Sequence, residues 1–136
     1  MKRTTEEIYT TLLEKGDLSV LDTDFDPGYQ AIGVTGPDPM DLDQFRTFVK
    51  ELRTAFPDLT ITFDEEIAEG NKVVTPHTMA GTHKGEFMGV APTNKKCEVR
   101  GISLDEFENG KLVRSESQWD SLGLLRQLGA LPETVK

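Results

Sequence analysis

The apolar period of this chain changes once, and that change limits the folds open to it. Between Asp41 and Pro57, Phe45, Phe48, Val49, Leu52 and Phe56 recur at helical spacing. They follow a cap signature in which Gln44 stands three residues after Asp41. From Leu59 the period is 2: Leu59, Ile61 and Phe63 alternate with Thr60, Thr62 and Asp64, the pattern of a half-buried strand. Burying each phenylalanine contributes roughly 1.5–3 kcal/mol, so the helix face must lie on an apolar partner. Helices followed by an antiparallel meander predict an α+β fold with one sheet face covered.

The other elements fit that outline. Thr4-x-x-Glu7 is a capping box, Ile8, Leu12 and Leu13 form a stripe behind it, and Gly16 supplies a stop. Leu18, Val20 and Leu21 suit a short helix. Pro27-Gly28, Gly33, Gly36-Pro37 and Pro39 then predict turns and short extended pieces up to residue 40. Glu69-Gly70-Asn71 turns the chain into a returning strand, Lys72 to Thr82, and the glycines of 81–94 mark a shaped loop. Cys97–Phe107 and Leu112–Asp120 form a hairpin around Asn109-Gly110, and Ser121–Leu128 suits a closing helix before Gly129. The expectation is a single domain over residues 1–136: a curved, mostly antiparallel sheet wrapped around about three helices.

Charge narrows the partners. The chain of 136 residues has 15 basic and 24 acidic residues, a net charge of −9, and two thirds of the acids lie in its first 70 positions. No run of five Lys or Arg occurs, which argues against nucleic acid and against an anionic membrane surface. Cys97 is the single cysteine, so no intrachain disulfide can form and a reducing, cytoplasmic setting is expected. The N-terminus lacks the apolar stretch of a secretory signal, and no run of about 20 apolar residues exists to span a membrane.

The register of the hairpin determines which side chains share a face. A two-residue turn pairs Glu108 with Lys111, whereas a left-handed glycine bulge at Gly110 pairs Phe107 with Lys111. The bulged register is the expected one. It gathers Arg100, Ile102, Leu104, Glu106, Leu112, Arg114, Glu116, Gln118 and Asp120 on one face, taken as the pocket side. The opposite face carries Val99, Gly101, Ser103, Val113, Ser115, Ser117 and Trp119, apart from Asp105 small or uncharged and suited to close packing. Slippage by one residue inverts every assignment.

On the pocket side the chemistry candidates are carboxylates. Asp120, after Trp119 and before Leu122-Gly123-Leu124-Leu125, suits a partly desolvated acid/base group, with Glu106 and Glu116 on the same face. Against this, Asp at that position commonly caps the following helix. His77 and His83 lack metal-pair spacing and are expected as hydrogen-bonded strand residues, Cys97 as a small core residue. The 81–89 loop lacks the Gly-Lys-Ser/Thr ending of a phosphate loop, and Ser115 and Ser117 have no arranged base.

Gly-Thr-His-Lys-Gly-Glu-Phe-Met-Gly-Val-Ala-Pro-Thr (81–93), Val99-Arg100-Gly101-Ile102, Asn109-Gly110-Lys111-Leu112, Trp119-Asp120 and Gln127-Leu128-Gly129-Ala130-Leu131 together resemble the SnoaL-like polyketide cyclase family. Ala55-Phe56-Pro57-Asp58-Leu59 and Ile67-Ala68-Glu69-Gly70 add to the resemblance, which spans roughly residues 45–131. It implies a cone-shaped α+β barrel similar to nuclear transport factor two, with a deep pocket and homodimers joined through sheet faces. It also implies acid/base ring closure of a polyketide ester without metal or cofactor, with one aspartate, matched here by Asp120, as the acid/base group. The resemblance further implies pocket positions at Ile32 and Pro76, where the family carries a His or Asn and an arginine. Glu106 stands for a His or Arg, and Glu116 for an aromatic residue. The expected site is thus Asp120 with Glu106 as partner, and a pocket lined by Ile32, Pro76, Thr78, Arg100, Leu104, Glu116 and Gln118. The expected ligand is a small hydrophobic metabolite. A non-catalytic binding protein of the same fold, or an epoxide or ester hydrolase, are the alternatives.

Overall fold

A computed structural model describes residues 4–130. Its helices begin at the capping residues. Thr4 and Glu7 form a reciprocal capping box at α1 (Thr5–Tyr9), which continues as a π-helical turn over Thr10–Glu14 and stops before Gly16 at φ 70°. A short α2 (Val20–Thr23) follows. Asp41 and Gln44 form a second box at α3 (Leu42–Ala55), which buries Phe45, Val49, Leu52 and Ala55 and ends ahead of Pro57. Asp120 caps α4 (Ser121–Gln127). The described residues hold four α-helices, none long and apolar enough to cross a membrane.

Six strands make one curved, mixed sheet: β1 (Phe25–Ile32), β2 (Thr60–Phe63), β3 (Ile67–Glu69), β4 (Lys72–Thr82), β5 (Lys96–Glu108) and β6 (Lys111–Trp119). The order is β1-β6-β5-β4-β2, with β3 also on β4, and every pairing is antiparallel except β1 on β6. Where turns and short extended pieces were expected before residue 40, β1 is one continuous strand of eight residues. Pro27 and Gly28 are tolerated because β1 is an edge strand whose pairing with β6 skips from Phe25 to Gln30.

The hairpin turn also differs from expectation. Asn109 (φ 51°) and Gly110 (φ 79°) form a two-residue turn, and Glu108 pairs with Lys111. The extra residue sits one step further along. Phe107 pairs with Leu112 but Glu106 with Arg114, so Val113 is the bulge. This restores the expected grouping beyond the bulge, with Glu106, Leu104 and Ile102 opposite Arg114, Glu116 and Gln118. Leu112 moves to the other face, where it is fully buried.

The helices cover the face that carries Leu112, not the face taken as the pocket side. Ser103, Asp105 and Ser115 are buried there, whereas Ile102 on the outer face is half exposed. The small polar residues expected to serve close packing are thus the lining of the interior.

One tight approach ties β1 to this sheet. Gly33 has φ 83°, and a Cβ there would lie 2.0 Å from the Ser117 carbonyl oxygen. A backbone oxygen in a paired strand has little room to move. Gly33→Ala is expected to lower stability by about 2 kcal/mol or more, measured by urea unfolding.

Candidate active site

A cavity of about 130 Å³ lies between the inner sheet face and the helices. An engineered apolar cavity of about 150 Å³ holds benzene, so this space suits a single ring. Phe45, Phe48 and Val49 of α3, Phe56 and Phe87 form its apolar wall. Polar groups are confined to the sheet wall and to Tyr9 and Tyr29.

Strand register sets the polar groups in rungs, each two residues, or about 7 Å, from the next. The first rung is Asp105 opposite Ser115. The second is Thr75, Ser103 and Ser117, side by side on β4, β5 and β6. The third is His77, Gly101 and Trp119. All of these but Asp105 border the cavity, and Asp105 stands directly behind Tyr9 and Ser115.

At the first rung, Tyr9 (2.7 Å) and Ser115 (2.5 Å) both donate to Oδ1 of Asp105. Oδ2 has no partner among the described residues, and neither does the Tyr29 hydroxyl. Burial pushes the Asp105 carboxyl up to about 6, against the pull of the two donated hydrogen bonds. Burial and the neighbouring Asp105 charge also hold the Tyr9 phenol well above its usual value. Burial likewise raises Tyr29, whose hydroxyl faces Ser115 and Asp105.

The middle rung is a row of hydroxyls. Ser103 Oγ and Ser117 Oγ are 3.4 Å apart, and the buried Thr75 hydroxyl has no partner among the described residues. At the third rung, His77 Nδ1 lies 3.1 Å from the Thr75 carbonyl oxygen. A carbonyl only accepts, so Nδ1 holds the ring proton and Nε2 keeps a lone pair. Nε2 lies over Gly101, where a Cβ would stand 2.9 Å away. Burial lowers the His77 pKa and keeps the ring neutral near neutral pH; the hydrogen bond to the Thr75 carbonyl opposes this, the Arg100 charge assists, and the Asp64 charge opposes.

The residues expected at the site lie elsewhere. Ile32, Pro76, Thr78, Leu104, Glu106, Glu116 and Gln118 occupy the outer sheet face, paired as Ile32 with Glu116, Pro76 with Ile102 and Thr78 with Arg100. Arg100 borders the cavity, but its guanidinium reaches Asp64 at 2.8 Å and Thr78 at 3.3 Å. Glu106 pairs with Lys72 at 3.8 Å, and Glu116 with Arg114 at 3.1 Å. Asp120 is exposed, and its carboxylate accepts from the Gly123 N–H at 2.8 Å as the cap of α4. The reason is the handedness of cover: the helices pack on the opposite face of the β5–β6 ladder. His83 is buried in the loop after β4, where its Nδ1 meets Thr93 Oγ1 at 3.0 Å, and Cys97 is a buried strand residue as expected. Among the described residues no cluster of three His, Cys, Asp or Glu is arranged to hold a metal.

Sequence reasoning missed Tyr9, Tyr29, Thr75, Ser103 and Asp105. Asp105 did leave a signal, as the one charge on an otherwise uncharged strand face.

The fold and cavity define a small cup of mixed sheet and helices, and comparison with known proteins gives it a family. The chain is similar to TsrD from Streptomyces laurentii (27% identity over 93% of this chain and 92% of that one, TM-score 0.83). It is also similar to IdmH from Streptomyces antibioticus, described as a candidate polyketide cyclase (26%, 93% and 99%, TM-score 0.78). AclR from Streptomyces galilaeus, described as a candidate hydroxylase, matches at 27% identity over 98% and 91% of the two chains, TM-score 0.78. No curated protein matches the sequence. The SnoaL-like polyketide cyclase model matches residues 3–128, and the chain belongs to that family.

Two measurements test this electrostatic picture. The Asp105 carboxyl stands above its unperturbed 3.8 in the folded protein. Its contribution to stability is therefore fully present below pH 3.8 and is lost as pH rises through about 6. Wild type minus Asp105→Asn stability, from urea unfolding between pH 4 and 7, is expected to fall by up to about 3 kcal/mol across that window. Asp120→Ala is expected to cost about 1 kcal/mol at pH 7 by the same measurement, the value of a lost helix cap.

Proposed function

We propose that the protein is a cofactor-free acid/base enzyme, of the ring-closing or isomerising type, acting on a small and mostly apolar carbonyl compound held in this cavity. The observation that carries this reading is the neutral His77 on the cavity wall, its Nδ1 held by the Thr75 carbonyl and its Nε2 without a hydrogen bond among the described residues, one rung from three hydroxyls. A carbonyl oxygen seated on the Thr75, Ser103 and Ser117 hydroxyls directs its α-carbon toward His77. Nε2 takes the α-proton, the C–H electron pair forms the carbon–carbon double bond of an enolate, and the charge moves to the oxygen. Hydroxyls already aimed at that oxygen stabilise the charge without reorganising, and each such donor is typically worth 10²–10³ in rate. The enolate carbon can then attack a second carbonyl of the same molecule, or take a proton back elsewhere.

The family's aldol ring closure begins with the same proton abstraction, and the similarity to IdmH supports a carbonyl substrate. Asp120, matched to the family's aspartate, acts in this reading as the cap of α4 rather than as the base. The half-exposed Ile102 and the exposed Ile67 on the outer sheet face support a homodimer through that face. Ile102→Glu is then expected to halve the mass in solution measured by sedimentation.

The proton-transfer step is tested with acetophenone in D₂O, by loss of its methyl proton signal. Wild type is expected to accelerate exchange, and His77→Gln to lose about 10²-fold or more of that rate. The rate falls with decreasing pH as Nε2 takes a proton, on a limb below the usual histidine range. The groups around His77 that set this limb are Arg100 and Asp64, with Tyr9 and Tyr29 further along the cavity and Asp105 behind Tyr9. Asp120→Asn, which keeps a good cap, is expected to leave the rate unchanged. Loss of exchange in Asp120→Asn with a fully active His77→Gln would return the role of base to Asp120.

A further inference from the structure

One glycine stands where a strand has no use for one. Gly101 is buried near the middle of β5, and no turn or positive φ calls for a glycine there. Glycine weakens a strand, and in a strand interior it often marks the close approach of another group. The third rung shows which group that is. Gly101 lies between His77 of β4 and Trp119 of β6. A Cβ at position 101 would stand 2.9 Å from His77 Nε2, 3.1 Å from Trp119 Cβ and 3.2 Å from the Gln118 carbonyl oxygen. The two atoms on the β6 side belong to a paired backbone or sit one bond from it, so neither turns aside. The His77 ring is the one neighbour of the three that can yield.

We propose that Gly101 is a positioning residue for His77: the side chain it lacks leaves the slot in which the imidazole lies against β5. The ring is then held from two directions. Nδ1 donates to the Thr75 carbonyl oxygen at 3.1 Å, which fixes the tautomer, and the bare strand at Gly101 lets Nε2 settle close to the sheet. An alanine would need an ordinary contact of 3.4 Å or more, so Nε2 would move by about 0.5 Å. The ring is rigid, and Nδ1 shares the movement from a hydrogen bond already near the long end of its range. A reacting group misplaced by about 1 Å loses about 10²-fold in rate, so half that distance costs about tenfold. This role rests on the reading of His77 as the base, although where the ring sits does not depend on it.

Three readouts on Gly101→Ala test the role. In acetophenone exchange, kcat is expected to fall about tenfold or more with KM within about threefold of wild type. In ¹⁵N NMR of the imidazoles at pH 7, wild-type His77 is expected as the single Nδ1–H tautomer and the variant as a mixture of two. The third readout is the melting temperature. Gly101→Ala is expected to lower it in wild type, yet to leave it unchanged or raise it in a His77→Ala background, where the slot is empty and alanine suits a strand better than glycine. A variant that fails to fold alone but folds together with His77→Ala gives the same answer. A loss of stability that persists in the His77→Ala background assigns the gap to Trp119 and overturns the proposal, as does an unchanged tautomer and kcat in Gly101→Ala. Absence of exchange in wild type, with the tautomer change and the coupled melting intact, overturns the proton-transfer reading and leaves the placement of the ring by Gly101 standing.

Discussion

One extra residue in β6 sets up the interior of this protein. Val113 bulges between Leu112 and Arg114, and the β5–β6 ladder changes step there. On one side of the bulge Leu112 packs against the edge strand at Phe25 and closes the core. On the other, Ser115 and Ser117 face inward beside Asp105 and Ser103. Without the bulge, the inward positions would be Arg114, Glu116 and Gln118, two charges and an amide in an apolar cavity. The cost of burying unpaired charge excludes that arrangement, so the ladder and the hydrophobic effect select the same register.

A division of labour between the two sides of the cup follows. The helices supply almost purely apolar surface, including Phe45, Phe48 and Val49 from α3. The sheet supplies ordered polar groups, because strands repeat every two residues and hold neighbouring side chains in fixed rows. Low dielectric then changes the chemistry of those rows. Burial holds the Asp105 carboxyl near 6 and the His77 imidazole below its usual value. On the outer face the half-buried Glu106 pairs with Lys72 and the exposed Glu116 with Arg114, where water screens the charges.

The same arrangement explains why the site was harder to read than the fold. Caps and periods are local, and Thr4–Glu7, Asp41–Gln44 and the switch at Leu59 were legible because each acts within a turn or a strand. The edge strand β1 was not, since Pro27 and Gly28 are breakers in isolation and are permitted only where a strand has one neighbour. The inner face was misread because its serines and threonines resemble surface residues. The outer face, with Ile102 and Leu104 among its charges, resembles a functional cleft.

The sequence by itself determined the α+β class, the main helices, the strands β2, β4, β5 and β6 and the family, since these depend on short-range patterns and on motifs such as 81–93. It also determined which residues of β5 and β6 share a face beyond the bulge. Only the tertiary structure decided which of those faces is the inside. Alternation along a strand has two equivalent solutions, and the choice between them is made by where α1, α3 and α4 pack. That packing put His77 and a row of hydroxyls on the cavity wall with Asp105 behind them, and left Glu106 and Glu116 on the outer sheet face.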